Sequence, residues 1–217
     1  METDKTEPDM NETVHIPSSF LADKDIKHMF EHQMRRFVLR PALRSLNFRR
    51  DLVGVEIGVF MGINALAICK FLDIKSLYLI DPYDTETLKA AYPHCAEESL
   101  ETIFKIMNHA LFKHQDKCRL FKGYSTNLGI VTQIPNNLDF VYIDGGHDYI
   151  SVIKDLTHYY SKVKKGGIIG GHDWVEDIPD DMEVRSAVMD FFESMGHMYQ
   201  RTYEVHTGER DWYHIKK

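Results

Sequence analysis

The chain has 217 residues, 43% of them hydrophobic and 27% charged, enough for one sizeable α/β domain with a full core or for two small ones. Acidic residues outnumber basic ones by 33 to 26, a net charge of −7, which sets aside a surface built to track nucleic-acid phosphates. No apolar run approaches the ~20 residues that cross a membrane, and the opening METDKTEPDMNE is acidic where a secretory leader is basic, so a cytoplasmic protein without a membrane partner is expected.

Residues 1–19 are polar, acidic and aperiodic, which predicts a disordered or loosely attached tail. From Asp23 to Asn47 the spacing is helical: Ile26, Met29, Phe30, Gln33, Phe37 and Leu43 can share a face, with Pro41 kinking or splitting the segment. Strands are then expected over Leu52–Ile57, Ser76–Ile80, Arg119–Lys122, Asp139–Ile143 and Ile168–Gly171. Helical patterns alternate with them over Ile63–Leu72, over Thr85–Gln115 with a break at Tyr92-Pro93, over Ile150–Val163 and over Glu183–Ser194. Two closing strands, Tyr199–His206 and Asp211–Lys216, flank a hairpin-like Thr207-Gly208-Glu209. Such alternation predicts a doubly wound, Rossmann-like α/β fold with a mostly parallel sheet and a C-terminal antiparallel strand pair. An N-terminal helical cap over 20–48 precedes a single domain over 49–217.

VGVEIGVFMG, residues 53–62, reads as strand, tight turn and helix start. The dinucleotide fingerprint needs three glycines, and only Gly58 and Gly62 are present; Phe60 stands where close approach to a pyrophosphate requires glycine. Glu56 would also repel a pyrophosphate. A carboxylate there suits a cationic ammonium, and Asp81, ending the second strand, suits ribose hydroxyls. Glu56, Gly58, Gly62 and Asp81 together point to a nucleoside bearing an amino-acid tail, S-adenosylmethionine above all, with the backbone from Gly58 through Val59 and Phe60 to Gly62 facing its carboxylate. The plainer alternative is a tight turn with an exposed acid.

The string GGHD occurs twice, as Asp144-Gly145-Gly146-His147-Asp148 and as Gly170-Gly171-His172-Asp173. Both copies follow strands that this architecture makes neighbours, at the carboxyl edge where open α/β sheets bind ligands. In the first the useful acid precedes the glycines and in the second it follows them, so these are two halves of a site and not a repeat. Asp144 and Asp173 can converge on a hard cation such as Mg²⁺, with His172 a third ligand directly or through water. His147, on the loop above, has an ordinary pKa suited to a general base. Histidines at strand ends are also commonly plain loop residues. Asp148 is placed to cap the next helix. The three cysteines, Cys69, Cys95 and Cys118, and the remaining histidines show neither disulfide nor zinc spacing.

VGVEIGVFMG, YLIDPYD, FVYIDGGHDYISVIKDL and VKKGGIIGGHDW, followed by EVRSAVMDFFES and the closing DWYHIKK, resemble class I S-adenosylmethionine-dependent methyltransferases. More narrowly, they resemble the group that includes metal-dependent macrolide-sugar O-methyltransferases. The resemblance implies Mg²⁺ or another divalent cation on Asp144, His172 and Asp173, His147 as base, and S-adenosylmethionine held by Glu56, Gly58, Val59, Phe60, Gly62, Asp81, Ser125 and Asp144. It departs at His172, where the sugar enzymes have an acid, and at Tyr124, where many relatives have an acid near the adenine. The implied reaction is methylation of a hydroxyl on a small-molecule acceptor, sugars among the candidates. Three alternatives stay open: a non-haem iron oxygenase using His147, His172 and Asp173, a nicotinamide oxidoreductase, and a non-catalytic nucleotide-binding protein. A homo-oligomer is compatible with all of them.

Overall fold

Leu52–Ile57 (LVGVEI) is largely apolar on both faces and becomes β1, an interior strand of the sheet paired with a neighbour on each side. The computed structural model describes residues 16–35, 37–95, 97–175, 183–195, 200–201 and 211–217. Ahead of β1 lie helix α1 (Lys24–Arg35) and a 3-10 segment, Pro41–Leu46. The single helical pattern expected over Asp23–Asn47 is thus split, and Pro41, which has no N–H to donate, stands at the start of the second piece. Among the described residues the sheet continues with β2 (Ile74–Asp81), β3 (Cys118–Lys122), β4 (Leu138–Ile143), β5 (Val163–Gly171), β6 (Gln200–Arg201) and β7 (Trp212–Ile215). Their order is β3-β2-β1-β4-β5-β7-β6. The first five are mutually parallel, and β7 runs antiparallel to both β5 and β6.

Side chains alternate across this sheet and separate two cores. Leu77, Leu79, Phe140 and Tyr142 pack with α1, α2 (Ile63–Phe71) and α4 (Ser99–Ala110) on one face. Val55, Ile57, Val141 and Ile143 pack with α6 (Tyr149–Tyr159) and α7 (Val184–Ser194) on the other. Each fully buried aliphatic side chain contributes roughly 1.5–3 kcal/mol, so both faces must be covered for the sheet to persist. Helix α3 (Thr85–Ala91) follows β2, and the break expected at Tyr92-Pro93 separates it from α4. Asp148 caps α6, accepting from Ser151 N–H at 3.0 Å as its position predicts.

Two differences from the sequence reading have local causes. Strand β5 begins at Val163 rather than Ile168, because Gly166 in the left-handed region (φ 73) and a register shift against Leu138/Phe140 let the strand absorb an irregularity. The short α5 (Leu128–Val131) had no periodic signal; Asn127 nucleates it by accepting from Gly129 N–H at 2.8 Å. The expected tail and most of the expected strand Tyr199–His206 lie outside the described residues. Among the described residues no helix is long and apolar enough to cross a membrane.

Candidate functional site

The glycine turn after β1 is bound by the acid that ends β2. Asp81 Oδ2 accepts from both Val59 N–H and Phe60 N–H at 2.9 Å, and its Oδ1 accepts from Tyr83 N–H at 2.9 Å. Gly58 N–H is spent on Ile80 O and Gly62 N–H on Val59 O. These four amides are therefore engaged within the chain, which corrects the expectation that they meet a ligand carboxylate. Gly62 is likewise a packing residue rather than a cavity residue: at φ 73 it opens α2, and a Cβ there would meet Met107 Cγ at 2.9 Å. Gly58 (φ 85) is required by close approach, since a Cβ would lie 1.9 Å from the backbone oxygen of Asp144. Phe60 adopts φ 50, the backbone form that glycine would take, and its ring stacks on Tyr92 at 5.2 Å while its carbonyl accepts from Tyr83 Oη at 2.7 Å.

A cavity of about 700 Å³ opens over the carboxyl ends of β1, β2 and β4. Glu56, Gly58, Val59, Phe60, Asp81, Ser125 and Asp144 all border it, as the sequence reading expects, together with His147, His172 and Asp173. Glu56 is 1% exposed, and Asn64 Nδ2 donates to its Oε1 at 2.9 Å. Its Oε2 and the Oδ1 of Asn64 are buried without any hydrogen-bond partner. Burial pushes the Glu56 carboxyl up to about 8, with the Asn64 hydrogen bond opposing and the charge of Asp144 assisting. Two orphaned acceptors at the wall of a cavity form a receptor for a cationic donor.

Across the cavity the two GGHD turns meet. Ligand atoms of Asp144, His147 and Asp173 lie within 4.8 Å of one another. His147 Nε2 is 2.8 Å from Asp173 Oδ2 and 3.9 Å from Asp144 Oδ1, the second a charge contact rather than a hydrogen bond. Burial disfavours a charged His147 ring, yet the two aspartates outweigh it and push its pKa up to about 10. Burial of Asp144 is outweighed in turn by His147, His172 and Arg40, which hold its carboxyl well below the ordinary range. His147 is therefore protonated in the ligand-free protein, where the sequence reading gave it an ordinary pKa. Asp173 sits at φ 61, a sparsely populated conformation at the end of β5.

His172 does not join that cluster. Its ring is 3% exposed and its Nδ1 is 2.8 Å from Asp211 Oδ1, while its Nε2 stands 3.7 Å from Asp173 Oδ1. Among the described residues the group assembled for a cation is two carboxylates with one histidine, not the two histidines and one carboxylate of an iron oxygenase. Ser125 Oγ donates to Asp155 Oδ1 at 2.5 Å, and burial pushes Asp155 up to about 6 despite that bond. Asn64 and Asp155 were missed from sequence. The available signal was a polar residue among buried helical positions: Asn64 stands in the nearly all-apolar α2, and Asp155 lies on the stripe of α6 that buries Val152, Leu156 and Tyr159.

Residues 55–174 match the family described as "Methyltransferase domain". The chain belongs to that methyltransferase family. An uncharacterized protein of Acanthamoeba polyphaga mimivirus is 34% identical over 123 residues, covering 55% of this chain and 50% of that protein. The chain thus spans about half the length of the curated relative it matches. Among solved structures, the O-methyltransferase NovP is similar at a TM-score of 0.57 and 17% identity, over 88% of this chain and 81% of that one. An S-adenosylmethionine-dependent methyltransferase from Aquifex aeolicus gives 0.54 and 16%, over 92% and 97%. Spermidine synthase from Thermotoga maritima gives 0.56 and 11%, over 87% and 59%. Identities this low show the methyltransferase fold alone, and the expected doubly wound sheet with an antiparallel C-terminal addition is what this chain has.

Proposed function

We propose that the chain is an S-adenosylmethionine-dependent methyltransferase that methylates a hydroxyl of a small-molecule acceptor, with a divalent cation assisting. The observation that carries this reading is the single cavity bordered on one side by the orphaned Glu56 acceptor and on the other by the Asp144–His147–Asp173 cluster. Glu56 Oε2, with Asn64 Oδ1, accepts from the methionine ammonium. Asp81 keeps lone pairs free for ribose hydroxyls while it fixes the turn, and Ser125 and Asp155 border the same cavity. The chain's chief contribution is to hold acceptor oxygen and sulfonium methyl in line, worth roughly 7–11 kcal/mol.

The residues present suit a hard divalent cation: Asp144 and Asp173 would hold it, with His147 beside them. Such an ion would supply Lewis acidity toward an acceptor hydroxyl and offset the negative charge of the two aspartates. His147, which borders the same cavity, is the residue placed to take the hydroxyl proton at Nε2. His172 is turned toward Asp211, with its Nδ1 2.8 Å from Asp211 Oδ1.

Calorimetric titration of S-adenosylhomocysteine into EDTA-treated protein, repeated with Mg²⁺, tests the reading. Micromolar binding, about −8 kcal/mol, is expected, with an affinity or enthalpy that changes when the cation is present. No binding in either condition would refute it.

A further inference from the structure

Cys69 and Cys118 are forty-nine residues apart in the chain, yet the fold sets their Sγ atoms 3.6 Å from each other. Cys69 lies in the last turn of α2, and Cys118 opens β3. Both are free thiols. At 3.6 Å the sulfurs already touch, and a further approach of roughly 1.5 Å brings them to bonding distance. Cys69 is 7% exposed and Cys118 half-buried, so a small oxidant reaches Cys118 first. The hydrogen bond from Cys69 holds the Cys118 thiol below its ordinary range, against burial and Asp116 and with help from Lys117. A partly exposed sulfur that ionises readily, beside a buried second thiol, is the arrangement that reversible sulfur oxidation requires. Cys95 is the contrast within the same chain: its Sγ meets Met29 Sδ at 3.8 Å, and burial pushes its thiol up.

We infer that Cys69 and Cys118 are an oxidation site for hydrogen peroxide, closing to a reversible disulfide that ties α2 to β3. The Cys118 thiolate attacks one peroxide oxygen, the O–O bond breaks, hydroxide leaves and Cys118 becomes a sulfenic acid. Cys69 Sγ then attacks Cys118 Sγ: the S–S bond forms, the S–O bond breaks, and the hydroxyl leaves with the Cys69 proton as water. Two thiols and one peroxide thus yield one disulfide and two waters, and a dithiol reductant restores the pair. What the bond fastens is the edge of the sheet. Among the described residues β3 pairs with β2 alone, and none of its five residues is buried. Cys118 stands at the amino end of that strand, whereas the cavity lies over the carboxyl ends and is bordered by neither cysteine. The site is therefore independent of the function proposed above.

Peptide mass mapping of the full wild-type chain after treatment with hydrogen peroxide tests the pair. A peptide linked through Cys69 and Cys118 should appear in chains that run singly on a non-reducing gel, vanish with dithiothreitol, and leave Cys95 open to alkylation after denaturation. Both thiols still free, Cys118 carried to a sulfinic acid without a bridge, or a link found only between separate chains overturns the proposal. Two variants read the order of attack. Cys69→Ser should give a sulfenic acid on Cys118 that dimedone traps, and Cys118→Ser should leave Cys69 reacting roughly tenfold more slowly or less. Equal rates overturn the assignment of Cys118 as the attacked sulfur. Hydrogen exchange should find the β3 amides slowed by roughly tenfold in the oxidised wild-type chain against the reduced one, and unchanged exchange overturns the fastening role. If either variant does not fold, the wild-type map and exchange decide alone.

Discussion

Glu56→Gln separates what a buried carboxyl costs the empty protein from what it gives the loaded one. In the ligand-free chain burial raises the group from 4.5 to about 8, so between those values the folded protein keeps a proton that the unfolded chain has released. Stability therefore falls as pH rises from 4.5 to about 8 and is level beyond. At roughly 1.4 kcal/mol per pH unit the whole loss is on the order of 5 kcal/mol. Glutamine carries no such penalty. Urea denaturation should find Glu56→Gln markedly more stable than wild type at pH 9 and close to it at pH 5. Cofactor binding should go the other way, since an ammonium against Oε2 needs the ionised carboxylate. Wild-type affinity for S-adenosylhomocysteine should climb by about tenfold per pH unit below pH 8, whereas Glu56→Gln should be flat and roughly 10- to 100-fold weaker at pH 8. A wild-type affinity that does not change between pH 6 and pH 8 would refute the assignment, as would a variant that binds as tightly as wild type.

His147→Asn should retain S-adenosylhomocysteine affinity and lose methyl transfer by roughly 100-fold or more, measured with radiolabelled methyl donor. The raised pKa of His147 stabilises the fold fully below 6.5 and ceases to as pH rises through about 10, so the same variant should flatten the alkaline limb of a thermal-melt profile. Phe60→Gly should be more stable than Phe60→Ala by roughly 1 kcal/mol in urea, because both lose the ring and only glycine tolerates φ 50 without strain; equal midpoints would contradict the strain argument. Gly58→Ala should lower the melting temperature and abolish cofactor binding in calorimetry, since its Cβ would displace the backbone of Asp144.

Residues with chemistry at strand ends were legible from the sequence. Asp144, His147 and Asp173 could be placed because an alternating pattern fixes which turns share an edge, and the pairing of β4 with β5 does bring them together. The turn at Gly58 was legible for the same reason. What the string could not carry was direction. Asp81 and the four turn amides were each expected to face a ligand, and instead most of them face one another. His172 looked like a ligand by position, but the antiparallel rung opposite Asp211 turns its Nδ1 away, and that partner is thirty-nine residues distant in the chain. Asn64 and Asp155 each stand among buried residues of their helices, so the sequence signalled two polar groups set among apolar ones but not the partners they face.

The acidity of the cavity has a consequence for turnover. Glu56, Asp81, Asp144, Asp155 and Asp173 all border it. In the proposed reaction the sulfonium becomes a neutral thioether when the methyl leaves, so the spent cofactor has one positive charge fewer than the fresh one. In a poorly hydrated space that charge is felt more strongly than in bulk water. The carboxylates that draw the reactant in thus hold the product less firmly, and the exchange of spent cofactor for fresh runs downhill at the same groups that bind it.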